Sequence, residues 1–183
     1  MPMNTSLWIC LIVVLVAAGS DIVTRRIPNL VTLGGLVVGL AVHAAAGFVE
    51  RGILGGLRGI GFALFGAVAC GLVPFLAWKK GEMGGGDVKL FAAIGALVGP
   101  ALGFDVEART FAFSLLVLFP YRLIRHRAVG VALRNMRIGV VNAFRAREAR
   151  EAYLAGPKLP PVILAPAIGI AFALTLLQNG ALR

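Results

Sequence analysis

Polar and apolar positions along this chain fall into long blocks rather than alternating residue by residue. Residues 1–20, 27–49, 59–78, 90–104, 110–121 and 159–182 carry no Asp, Glu, Lys or Arg. A helix that crosses a bilayer needs roughly 20 mainly apolar residues, so the first, second, third and sixth blocks qualify unaided. The fourth and fifth are shorter. They reach full length if Lys89, Arg109 and Arg122 snorkel their charged ends toward the headgroups. Backbone groups in lipid find no water to bond, so such blocks must form helices rather than open strands. The pattern predicts an all-α, polytopic integral membrane protein with about six transmembrane helices, a single membrane domain over 1–183. The first block carries no Lys or Arg between Met1 and Ser6, and no small-residue cleavage site precedes a polar domain, so it reads as a retained helix.

Composition agrees with the blocks. The chain is 59% hydrophobic and 14% charged, with a mean hydropathy of +0.91, beyond the apolar share of a soluble domain. Its formal charge of +10 adds an orientation. Taking the loops alternately, one side holds Arg25, Arg26, Lys79, Lys80, Lys89 and the basic residues between Arg122 and Lys158, which is 14 of the 18 Lys and Arg. The positive-inside tendency puts that side in the cytoplasm and both termini outside. The excess charge is thus cytoplasmic flank, and no nucleic-acid partner is expected. Residues 122–158 form the one long polar insertion, a basic cytoplasmic loop. There Leu133, Met136, Val140 and Phe144 recur at near-helical spacing beside Arg134, Arg137, Arg145 and Arg147. An interfacial helix on anionic lipid fits that spacing, and so does an ordinary solvated loop.

Little metal, thiol or serine chemistry is legible. Cys10 and Cys70 sit in separate apolar blocks with no CxxC and no His pair, so they read as small packing residues and no metal site is expected. His43 and His126 have no partner that would make either a ligand or a triad base. No G-x-S-x-G is present.

The carboxylates remain. Asp105 and Glu107 are placed in one external loop and Glu50 in another, while Glu148 and Glu151 belong to the basic segment, all with solvent available. Asp21 closes the first block in "GSDIVTRRIPNL", and Asp87 opens the fourth in "GEMGGGDVKL". Both fall at the predicted cytoplasmic face, on separate helices. Two carboxyl groups brought together cannot both ionise cheaply, so they share a proton and one can serve as base while the other serves as acid. Hydrolysis of a peptide bond by an activated water needs that division of labour. The glycines beside Asp87 let backbone approach backbone closely. The same residues also fit a plain helix cap preceded by a turn, and spacing alone leaves both readings open.

"GGGD", residues 84 to 87, fits a GxGD motif, and "DIVTRRIPN", residues 21 to 29, is similar to the first-loop aspartate motif of type IV prepilin peptidases, bacterial aspartic enzymes that trim pilin precursors at the membrane. Asp87-Val88-Lys89 continues the likeness, since the family's second motif commonly reads GxGDxK. The short chain and early first aspartate look most like the small tight-adherence (Flp) pilus branch. The resemblance covers at least residues 15–125. It implies that Asp21 and Asp87 are the catalytic aspartates, that Gly84 and Gly86 are the motif glycines, and that Arg25, Arg26, Pro28, Asn29 and Lys89 support them. In that support the arginines anchor a helix end, and Pro28 takes the first turn of the second span.

The implied substrate is a prepilin or pseudopilin precursor whose hydrophobic N-terminal helix lies among the membrane lipids and whose short leader is cut at the cytoplasmic face of the bacterial inner membrane. The cytoplasmic domain with paired cysteines found in longer relatives is not in this sequence. Neither S-adenosylmethionine nor any other cofactor is therefore expected. Two other readings compete: a small polytopic transporter, which would favour ionisable groups at mid-membrane, and a non-enzymatic pilus or secretion assembly subunit that uses both aspartates as caps.

Overall fold

The computed structural model describes residues 2–81, 83–125, 130–131, 133–134 and 164–178. Among them every regular element is helical: α1 Pro2–Thr24, α2 Asn29–Lys79, α3 Gly85–Phe113, a π-helical segment Ser114–Leu118, α4 Phe119–Arg125 and α5 Ala165–Gln178. Three stretches are long and apolar enough to cross a membrane, Thr5–Thr24, Asn29–Lys79 and Gly85–Tyr121, and α5 is a shorter apolar helix. The chain divides into two compact units, Met1–Ala112 with Ile163–Arg183, and Phe113–Val162.

In the first unit, two of the long helices are broken. The second and third apolar blocks are joined in α2, which leaves helical geometry at Arg51 and at Gly52, where φ is +63°. Its arms, 29–50 and 53–79, fold back on one another. In a continuous helix His43 and Gly59 would stand about 24 Å apart, yet a Cβ on Gly59 would collide with the carbonyl of His43, and Gly47 meets Gly55 backbone to backbone. Glycine at these positions is what lets the arms touch.

The fourth block lies in α3, which departs from helical geometry at Gly99, just before Pro100. Polar side chains serve the carbonyls around that break: His43 Nε2 lies 3.0 Å from the Leu97 carbonyl, and the Cys70 thiol lies 3.9 Å from that of Pro100. Both cysteines are free and buried, as packing residues would be.

α3 is the inner helix. Its apolar window is 61% buried, against 28% for α1 and α2. Leu90, Phe91, Ile94 and Leu97 join Cys10, Val14 and Ala17 of α1 and Ala165, Ile168 and Phe172 of α5 in one core.

Asp105 and Glu107 do not lie in a loop. Both are within α3, where Asp105 pairs with Arg109 one turn on, at 3.0 Å, and Glu107 is only 4% exposed. An i,i+4 ion pair neutralises both charges on one helix face, so the helix runs through what reads as a polar gap.

In the second unit, the π-helical segment leads into α4, where Arg125 Nη1 donates to the Tyr121 hydroxyl at 2.7 Å. The candidate interfacial helix of the 122–158 segment falls largely outside the described residues.

Candidate active site

Asp21 sits in the last turn of α1. That helix stops because Arg25 takes the left-handed conformation, φ +53°, and its N–H closes back on the Asp21 carbonyl at 2.9 Å. This is the αL form of a helix C-cap, usually filled by glycine. The reversal continues through Arg26, whose carbonyl accepts from the Ser20 hydroxyl at 3.0 Å. It ends at Pro28, which is the N-cap of α2 with extended backbone (ψ 134°) rather than a residue of its first turn. Pro28 lies outside the helix because its backbone is extended, while its carbonyl takes the N–H groups of Val31 and Thr32 as an N-cap does. Both arginines are exposed. They terminate and flank the helix without pairing with either aspartate, since the ion pair among the described residues is Arg109 with Asp105.

Asp87 sits in the first turn of α3. Gly84 caps that helix, with its carbonyl accepting from Val88 at 3.4 Å, and the Asp87 carboxyl turns back over Gly84, its Oδ2 3.1 Å from where a Gly84 Cβ would stand. A third-position acid turned back on the cap residue has the placement of one half of a capping box. That placement would occupy only part of its capacity, because a carboxylate offers about four lone-pair sites.

The two turns pack on each other. A Cβ on Gly86 would stand 3.2 Å from Ile27 Cβ, and one on Gly85 would stand 3.4 Å from Trp78 Nε1. Lys89 Nζ donates to Asn29 Oδ1 at 2.8 Å, tying the start of α3 to the start of α2. The result brings Asp21 within electrostatic reach of Asp87. Asp21 is 9% exposed and Asp87 half-buried. Two carboxyls so placed repel one another when both are ionised.

All nine residues singled out from the sequence lie in these two turns or the helix ends they join. Trp78, Ile27 and Ser20 belong beside them, as does the start of α5, which packs along α1 with Gly169 near Val14 and Ala18. Ala165 and Pro166 could have been read as a helix start, but nothing in the sequence announces which helix it packs on. An apolar groove of about 380 Å³ opens between the arms of α2, lined by Ala44, Phe48, Ile53, Leu57 and Ile60 among others. It begins about 22 Å along the first arm from Asn29 and has no part in this cluster.

A family model, the type IV leader peptidase family, matches residues 8–131, which hold both aspartate turns. Neither a curated protein nor a solved structure gives a match.

Proposed function

Because the chain belongs to the type IV leader peptidase family, and is thus a peptidase with helices fit for a membrane, we propose that it is an aspartic leader peptidase in which Asp21 and Asp87 activate water. The observation that carries this reading is that Asp21 and Asp87, 66 positions apart in sequence, lie in two turns that pack on each other, close enough for the Asp21 charge to act on Asp87. The substrate is a prepilin-like precursor. Its hydrophobic helix lies in the bilayer beside the enzyme, and its leader junction enters extended along the glycine turn 84–86. The branch closest in character is the small tight-adherence type.

The chemistry needs one proton held between two carboxyls. The ionised aspartate takes a proton from water as the water oxygen attacks the scissile carbonyl carbon, and the protonated one gives its proton to the carbonyl oxygen. The tetrahedral diol then collapses. The C–N bond breaks, the proton taken from water passes to the leaving nitrogen, and a diol hydroxyl returns its proton to the other carboxyl. Acid and base are then as they began.

In the membrane, each arm of α2 and the two parts of α3 on either side of Gly99 act as separate passes. With α1 and α5 they make six in all. The basic loops lie in the cytoplasm of a bacterial inner membrane, and the aspartates face the same side. Labelling from outside intact cells of a cysteine introduced at Arg134 would overturn that orientation. The reading as a whole is tested by processing of a prepilin-like precursor in membranes that hold Asp21→Asn or Asp87→Asn. Full processing by either variant would favour a transporter or an assembly subunit instead.

A further inference from the structure

The turn that carries Asp21 is closed by side chains as well as by backbone. Arg25 holds φ at +53°, a conformation that L side chains adopt only at a cost, so the chain keeps this path only where its surroundings favour it. The backbone bond from the Arg25 N–H to the Asp21 carbonyl reaches no further than Arg25 itself. Beyond it, the Ser20 hydroxyl spans six residues to donate to the Arg26 carbonyl at 3.0 Å. Thr24 has one hydroxyl proton and two acceptors for it, the Ser20 carbonyl at 2.8 Å and the same Arg26 carbonyl at 3.0 Å. One carbonyl past the turn is therefore held by two hydroxyls from the end of α1.

That carbonyl belongs to the peptide group that also contains the Ile27 nitrogen, and a peptide group is planar. Fixing its oxygen fixes the direction in which the chain enters Ile27. The other turn rests on this residue, since a Cβ at Gly86 would stand 3.2 Å from Ile27 Cβ, and Asp87 follows Gly86 directly. Ser20 in turn directly precedes Asp21. A path from one aspartate to the other thus runs through Ser20, the Arg26–Ile27 peptide and Gly86, separate from the tie between Lys89 and Asn29.

We propose that Ser20 is a positioning residue for the reaction, its hydroxyl, aided by that of Thr24, holding the Arg26–Ile27 peptide so that the Asp21 turn meets the Asp87 turn in one fixed relation. This rests on the aspartic reading above. The bond from Ser20 to Arg26 satisfies no carbonyl of α1, so it does not serve to end that helix, which the Arg25 N–H already does. What it fixes is the chain that follows. Neither hydroxyl takes or gives a proton in hydrolysis, and both act through the backbone.

The test separates placement from packing. Ser20→Ala deletes the hydroxyl alone, so kcat per folded enzyme should fall by about three- to tenfold with KM within about twofold, one hydrogen bond being lost away from the substrate. Ser20→Thr, which returns a hydroxyl, should recover most of that loss. Thr24→Val should cost less than Ser20→Ala, because the Arg26 carbonyl keeps its Ser20 donor. Glycine takes the left-handed turn without help, so the loss caused by Ser20→Ala should shrink to within about twofold when it is measured on an Arg25→Gly background. If Ser20→Ala fails to insert, Ser20→Cys keeps the size, weakens the donor and is read in the same way. A wild-type kcat in the donor-free protein, an equal loss in Ser20→Thr, or a loss undiminished on the Arg25→Gly background would each overturn the proposal while Asp21→Asn stays inactive. Full processing by Asp21→Asn would instead remove the aspartic reading beneath it.

Discussion

Lys89 Nζ donates to Asn29 Oδ1 across 2.8 Å, and this one bond joins the first turn of α3, which carries Asp87, to the first residue of α2, which follows the Asp21 turn. Pro28, as the N-cap, leaves the Asn29 side chain free for it. The bond is exposed, so its net worth is about 0.5–1.5 kcal/mol, and its effect is felt as looseness between the two aspartate turns.

Lys89→Met and Asn29→Ala should each lower kcat/KM by about three- to tenfold. The double variant should be no worse than the weaker single one, because both remove the same contact. Rates of precursor cleavage for the four proteins test this. Additive losses would mean that the two residues act separately.

The glycine turn makes a steric prediction. A Cβ at Gly86 would come 3.2 Å from Ile27 Cβ, closer than side chains ordinarily pack, so one turn must shift against the other. Overpacking of this kind costs about 1–3 kcal/mol. Gly86→Ala should cut cleavage at least several-fold, and adding Ile27→Gly, which removes the Cβ that the new methyl meets, should restore part of the loss. Failure of Ile27→Gly to restore any activity would show that Gly86 matters for its backbone and not for its contact with Ile27.

Much of this cluster was legible in the sequence, and the reason is chemical. Carboxylates at the ends of apolar blocks stand out, and Asp21, Asp87, the glycines and Lys89 all lie where the two turns meet. Helical class was legible too, because lipid leaves the backbone no other solution. What could not be read depends on contacts between distant segments. Gly52 looks like any of the 24 glycines, yet the reversal there folds α2 into two arms. Asp105 reads as a loop residue until Arg109 is seen to neutralise it, and Glu107 reads as solvated although it is buried. The packing of α5 along α1, with Gly169 near Val14 and Ala18, has no signature in the sequence.

Glu107 carries a prediction of its own. Its Oε2 is buried and has no hydrogen-bond partner among the described residues. Replacing an unpartnered buried polar group by an apolar one of similar shape is often neutral or stabilising. Glu107→Met should therefore leave cleavage within about twofold and raise stability in detergent by about 1 kcal/mol, read as an upward shift in the unfolding midpoint. A large loss of stability would mean that the carboxyl has a partner when the protein is in its membrane.

The sharpest expectation concerns the aspartates. Asp21→Asn and Asp87→Asn should each abolish cleavage of a prepilin-like precursor while the protein remains inserted and folded. Asparagine keeps the shape of the side chain and one accepting oxygen, so the two turns are preserved. It cannot take up or release the proton that hydrolysis requires. That separates a cap from a catalyst, since a cap tolerates Asn with little loss. Asp105→Asn, which only weakens an i,i+4 pair with Arg109, should stay within about twofold of wild type. Two carboxyls that act as one unit should also be strongly non-additive, so the double variant should be no worse than either single one. The measurement is the size shift of the precursor in membranes, with enzyme levels matched. Residual processing that differs between the single variants and falls further in the double would mean independent roles, and full processing by either would return Asp21 and Asp87 to service as caps alone.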